Sequence, residues 1–248
     1  MFPIRDHNPS GQTPFVTLAL IAVNVLVFLG FFLGRNDFQL QELFFQWGLV
    51  PARIMAGHSY ETVVTSMFLH AGWLHLAGNM LFLWIFGDNL EEEMGHFGFL
   101  LFYLAAGLAA AGLQTLADTG SRLPMVGASG AIAGVMGGYL LLFPRAKVDV
   151  LFIFLIFFRI FAVPAWIVLG LWFGIQIFAG LSTPSDAGGV AYWAHAGGFV
   201  AGLVLTLPAW LRRGAGDYWQ ATRGRPPHPA SDFEAARSNI PLVPRRRK

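Results

Sequence analysis

Cysteine is absent from this 248-residue chain, and charge is scarce: 16 basic and 14 acidic side chains make up 12% of it. The first absence excludes disulfide scaffolds, thiol nucleophiles and cysteine-type zinc sites together, and it leaves the redox compartment unread. The second sets the chain apart from ordinary soluble domains, in which about a quarter of residues are charged. So few charges cannot cover a soluble fold of this size when 55% of residues are apolar and 24 are Phe. A mean hydropathy of +0.57 excludes a disordered chain as firmly as it excludes a cytosolic enzyme. No internal repeat of solenoid period is visible, nor an inverted pair of broken helices of the kind transporters use.

What is present is a series of long apolar runs. A helix crossing a bilayer needs about 20 largely apolar residues, and six stretches answer to that. They are Pro14 to Leu33, Gly72 to Leu90, Phe97 to Ala117, Gly127 to Phe143, part of Val148 to Gly180, and Ala191 to Leu211. The fifth run is too long for one straight crossing. Arg159 and Pro164 interrupt it, which predicts a membrane-dipping approach and then a span from about Ile160. The first is too long, and too poorly preceded by positive charge, for a signal peptide. The expected fold class is therefore all-α: a polytopic six-transmembrane-helix bundle over residues 14–211. Residues 1–13 form a short cytoplasmic N-terminus, and the Pro/Arg-rich residues 212–248 read as a disordered cytoplasmic tail. Between the first two spans, residues 34–71 form an external loop. Its aromatics and amides from Phe38 to Trp47 suit a helix in the interface plane.

Six spans place both termini on one side. That side holds Arg5, Arg145, Lys147 and nine basic residues after Trp210, whereas the other holds only Arg35, Arg53 and Arg122. The positive-inside rule puts both ends in the cytoplasm. The tail itself counts nine basic against three acidic residues. Anchoring on anionic lipid explains it more simply than nucleic acid does, and no nucleic-acid partner is expected.

Hydrogen-bonding groups inside a bilayer are expensive and point to function by default. Four stand out: His75 and Asn79 in the second span, Ser129 at the start of the fourth, and His195 in the sixth. Singly, each has an ordinary reading, as a backbone-bonded serine or as polar glue between helices. Together they do not. His75 and Asn79, four apart, share one helical face. Gly130, Gly134 and Gly138 form a small-residue stripe that lets another backbone approach, and Gly198 and Gly202 form a second. Ser129 lies one residue before the first stripe and His195 three before the second. If the stripes pack together, hydroxyl and imidazole arrive at one level, as nucleophile and general base. Backbone N–H groups at the start of the fourth helix, from Gly127 to Ser129, are free for an oxyanion, and His75 and Asn79 can add donors. A soluble-type nucleophile elbow would need a strand before Gly127-Ala128-Ser129-Gly130-Ala131, and none is expected. Asp149 and Asp186 have no reason to reach His195, so the arrangement is a Ser–His dyad.

These motifs resemble the rhomboid family of intramembrane serine proteases. The resemblance runs from about Thr65 to Leu205. It is carried by His70-Ala71-Gly72-Trp73-Leu74-His75, Gly78-Asn79-Met80, Gly87 to Glu91, Gly127-Ala128-Ser129-Gly130 and Ala194-His195-Ala196-Gly197-Gly198, in that order. It implies a six-helix core that cleaves transmembrane segments of other proteins near the external membrane surface. Ser129 would be the nucleophile, His195 the base, and His75, Asn79 and the Gly127–Ser129 backbone the oxyanion stabilisers. Glu91 would be structural. The implied partners are transmembrane protein substrates and the lipid bilayer, with no cofactor and no metal. The implied location is a bacterial inner or plasma membrane, with the site opening outward. Two positions depart from family patterns: Ala133 stands where some members carry an aromatic beneath the histidine, and Glu61-Thr62 where some carry Trp-Arg. Two other readings remain: a catalytically silent binding or quality-control protein on the same fold, and an unrelated transporter.

Overall fold

The structure, a computed structural model, describes residues 2–154, 157–184 and 188–225. Its elements are β1 (Phe2–Asp6), α1 (Phe15–Phe32), α2 (Asp37–Trp47), α3 (Pro51–Met55), α4 (Thr62–Thr65), a 3-10 turn (Ser66–Phe68), α5 (Trp73–Ala117), α6 (Ser129–Leu142), β2 (Lys147–Phe154), β3 (Phe157–Pro164), α7 (Ala165–Ser182), α8 (Tyr192–Arg212) and α9 (Gly216–Thr222). Four helices, α1, α5, α7 and α8, are long and apolar enough to cross a membrane. α5 is broken at Gly95, whose φ of 71° and ψ of 162° leave the helix and suit glycine, which has no Cβ to clash. Its two arms coincide with the second and third expected spans. α6 has 14 residues, about 21 Å of helix, and falls short of a hydrocarbon core of about 30 Å.

α6 is the buried centre, flanked by α5 and α8. The glycine stripes are what allow this. A Cβ on Gly198 would overlap the Gly130 carbonyl oxygen, and one on Gly202 would overlap that of Gly134. On the other flank, Gly130 and Gly134 face the Ala110 and Ala106 methyl groups of α5. Backbones are thus in direct contact on one side and one methyl group apart on the other. Phe86, Phe99, Tyr103 and Tyr139 fill the wider part of the same core, each fully buried.

α1 is held differently. Its N-terminal residue Pro14 offers no side-chain cap. The buried Glu91 carboxylate of α5 supplies one instead, accepting from the Val16 and Thr17 N–H groups at 2.8 Å and from the Thr17 hydroxyl at 2.7 Å. α2 forms where the interfacial helix was expected, closed by a capping box between Asn36 and Gln39.

Two departures from the sequence reading concern the far end of the bundle. The fold is not all-α. β1, β2 and β3 form a three-stranded antiparallel sheet in that order, with Val148 opposite Val163 and Phe152 opposite Arg159. The stretch expected to dip into the membrane is thus a β-hairpin, and the helix after it starts at Ala165 rather than near Ile160. An apolar run with no polar period reads alike for strand and helix. Here β-branched and aromatic residues favour the strand, and Pro164, with no N–H to continue a ladder, ends it. The second departure is that the chain beyond Arg212 does not leave the bundle at once. In α9 the Trp219 indole N–H donates to the Leu141 carbonyl at 3.0 Å, and Arg145 N–H donates to the Gly224 carbonyl at 2.7 Å. Residues 226–248, the bulk of the expected tail, lie outside the described residues.

Candidate active site

Three helix starts converge at the end of the bundle opposite the sheet. α6 begins at Ser129, α5 begins two residues before His75, and α8 three before His195. Each brings first-turn N–H groups without helical partners and the positive end of a helix dipole. They border a cavity of about 890 Å³ that Ser129, His195, His75 and Asn79 all line.

His195 Nε2 lies 2.8 Å from Ser129 Oγ. The stripes account for this: contact between Gly130 and Gly198 leaves hydroxyl and imidazole facing each other across it. The His75 ring lies against Gly127, where an added Cβ would stand 2.8 Å from its Cε1 and Nε2 atoms. Gly127 has a φ of 134°, so neither the space nor the backbone admits a side chain. The Ala71 N–H donates to His75 Nδ1 at 3.4 Å. A neutral ring accepting there carries its proton on Nε2, the nitrogen that lies against Gly127. His70, buried beside it with ring centroids 5.1 Å apart, has its pKa pushed down to about 4, first by burial and then by repulsion from His75 whenever that ring is protonated.

Asn79 lies one turn below His75 on the same face. It is buried, and its amide nitrogen has no hydrogen-bond partner among the described residues. A donor left so costs about 1–3 kcal/mol, and the cavity is where its missing acceptor would sit. The Ser129 N–H likewise has no partner among them. Gly127 requires a correction. Its N–H, expected to be free for an oxyanion, donates to the Ser66 carbonyl at 2.9 Å. That bond ties the loop before α6 to the 3-10 turn, so Gly127 shapes the site by its missing side chain and not by its N–H.

Asp149 is far from the dyad. It sits buried on β2, accepting from Arg5 at 2.8 Å and facing His7 at 2.7 Å. These partners hold its carboxyl below the usual carboxylate range against the opposing pull of burial. Asp186 lies outside the described residues. Among those residues no group of three or more His, Asp or Glu stands where it could hold a metal ion.

Two residues escaped the sequence reading. Gln114 of α5 accepts from the Ala194 N–H at 3.1 Å, capping the start of α8. Gln176 of α7 places its amide oxygen 2.8 Å from His195 Nδ1. The signal for the second was available: Gln176 is the sole amide in the apolar run from Ala165 to Leu181, and a polar side chain in a membrane helix invites the same question as Asn79.

Residues 57–212 match the Rhomboid domain family. The chain is 30% identical over 197 residues to Rhomboid protein 1, mitochondrial, of Saccharomyces cerevisiae, covering 75% of this chain and 51% of that protein. It is 32% identical over 196 residues to the Rhomboid protease GluP of Bacillus subtilis, covering 79% and 36%. With Rhomboid-like protein 11, chloroplastic, of Arabidopsis thaliana, it shares 36% over 113 residues, or 45% and 38%. The chain thus spans between about a third and a half of the length of these relatives. The match runs from the loop before α4 to the end of α8, taking in His75, Asn79, Ser129 and His195, and the chain belongs to the rhomboid family.

Proposed function

We propose that this chain is an intramembrane serine endopeptidase that cuts other membrane proteins in or near their transmembrane segments. Ser129 Oγ attacks the scissile carbonyl carbon while His195 Nε2 takes its proton. The carbonyl oxygen, now an anion, accepts hydrogen bonds from His75 Nε2–H, the Asn79 amide and the Ser129 N–H. Collapse of this intermediate breaks the C–N bond, and the imidazolium gives its proton to the leaving amine. Water then attacks the acyl-serine with His195 again as base, which frees the acid and restores the serine. No cofactor or metal has a step here.

We read six crossings: α1, the two arms of α5, then α6, α7 and α8. Both termini are cytoplasmic by the distribution of Lys and Arg, and the cavity opens to the outside of a plasma membrane of bacterial type. The shortness of α6 sets Ser129 below that surface, so the cavity is also the route for water. The substrates are proteins with a helix-destabilised transmembrane segment bearing small residues near the cut.

The observation that carries this reading is the 2.8 Å pairing of Ser129 with His195 beside unpaired donors. The test is cleavage of a single-span protein in proteoliposomes, with labelling by a fluorophosphonate probe. Wild type cleaves and labels, Ser129→Ala does neither, and His195→Ala loses cleavage. Cleavage retained by Ser129→Ala would overturn the reading. A wild type that binds the single-span protein but neither cuts nor labels would favour the silent binding protein.

A further inference from the structure

The geometry points to Gln176 as the positioning residue of the dyad: its amide oxygen selects the His195 tautomer and, with the Trp172 ring, aims the imidazole at Ser129. This inference rests on the hydrolase reading above and concerns how the base is held.

The amide could in principle present either end to His195. Its nitrogen is committed elsewhere, donating to the Trp172 carbonyl at 3.4 Å. A carbonyl only accepts, so the nitrogen belongs there and the oxygen faces His195 Nδ1 at 2.8 Å. An acceptor at Nδ1 requires the ring proton on Nδ1. The lone pair is then on Nε2, opposite the Ser129 hydroxyl, which is the tautomer a general base needs. The other tautomer would point an N–H at the serine and could not take its proton. Among the described residues, His195 has no side-chain hydrogen-bond partner besides Ser129 and Gln176, and the nearest candidate for an acidic third member, Asp149, is engaged with Arg5 and His7.

Burial argues the same way. α7 has only three buried residues, Ala165, Leu169 and Gln176, so a polar side chain takes one of the few inward positions of an apolar helix. An amide there orients the ring without placing a charge in a low-dielectric bundle, where an ion is costly. One turn earlier on α7, the Trp172 ring lies 5.6 Å from the imidazole and tilted 35° to it, itself backed by Phe199. It gives the face of the imidazole an aromatic neighbour that Ala133 does not.

The experiment compares Gln176→Leu and Gln176→Glu with wild type in proteoliposomes holding a fluorescently tagged single-span protein with Gly and Ala near the outer end of its span. For Gln176→Leu, kcat falls about 10- to 100-fold and KM stays within about twofold, because the substrate is not touched. Gln176→Glu keeps the acceptor and recovers most of kcat. Its added charge favours the imidazolium, so the acid limb of the pH–rate profile moves to higher pH. A kcat for Gln176→Leu within twofold of wild type overturns the inference. If Gln176→Leu does not fold, Gln176→Glu decides alone, and an unmoved acid limb overturns it. Ser129→Ala and His195→Ala run beside them. Cleavage by either means the hydrolase reading has failed, whereas their inactivity with an unaffected Gln176→Leu means that only this inference has.

Discussion

α6 and α7 both pack on α8, and they do so in opposite ways. α6 meets it backbone to backbone, with Gly198 against the Gly130 carbonyl and Gly202 against that of Gly134. α7 meets it through side chains, Trp172 and Phe173 on Phe199 and Gln176 on His195. Its own Gly170 and Gly174 face open space. A contact between backbones has no rotamer to relax, so it fixes the separation of Ser129 and His195 stiffly. Contacts through long side chains on a thinly buried helix fix only the direction in which the imidazole points. Distance and orientation of one reacting pair are therefore set by two interfaces of different stiffness.

The comparison breaks most visibly at glycine. Gly198→Leu drives a side chain into the Gly130 carbonyl, which cannot yield without parting the helices. Overpacking of this kind exceeds the usual 1–3 kcal/mol, and the unfolding midpoint in detergent should fall by roughly 10 °C or more, with loss of fluorophosphonate labelling. Gly174→Ala, on the loose interface, meets nothing, and its midpoint should stay the same or rise slightly, since glycine inside a helix costs about 0.5–1 kcal/mol relative to alanine. Equal losses in the two variants would remove the distinction. An intermediate effect is expected at Trp172→Ala: cleavage falls about tenfold, within the range a positioned base supplies, while the midpoint moves far less than for Gly198→Leu. A Trp172→Ala enzyme that melts early but keeps its kcat per folded molecule would reassign the ring to packing.

The stiff half of the site was legible in the sequence, and the compliant half was not. Gly130, Gly134, Gly198 and Gly202 repeat at four residues, a period that a helix converts directly into one face. Ser129 and His195 inherit their levels from that face. The bounds of α1, α6 and α8 also follow from apolar length alone. Gln176 has no such index: it meets His195 across two helices and a loop, and no spacing encodes the contact. Gly127 failed for a related reason. Its place before a helix start suggests a free N–H, but the Ser66 carbonyl that takes it comes from a distant turn. The hairpin failed on chemistry, because residues 150–158 are apolar throughout, and period 2 cannot be told from period 3.6 where every position is filled alike.

Two smaller effects test attachments outside the dyad. Glu91→Gln keeps one acceptor but weakens a charge-assisted cap on α1 made by three donors. A loss of about 1.5–3 kcal/mol is typical of hydrogen bonds to charged groups, so the midpoint should drop by several degrees with kcat per folded molecule unchanged. The last test lies at the sheet. The Asp6 carboxyl accepts from the Tyr139 hydroxyl at 2.7 Å. Burial outweighs that bond and pushes its pKa up from the ordinary 3.8 to about 6. A carboxyl with a raised folded pKa binds its proton more tightly in the folded state. Its contribution to stability is therefore complete below pH 3.8 and is lost as pH rises through about 6. Asp6→Asn retains an acceptor for Tyr139 and cannot ionise. The difference in midpoint between Asp6→Asn and wild type should therefore grow between these two pH values and level off above them, by roughly several degrees in all. Titrating groups that do not interact with Asp6 act on both proteins and cancel in that difference. A difference that is flat with pH would mean that Asp6 titrates as an ordinary surface carboxylate, and that β1 is held to the bundle more loosely than its pairing with β2 implies.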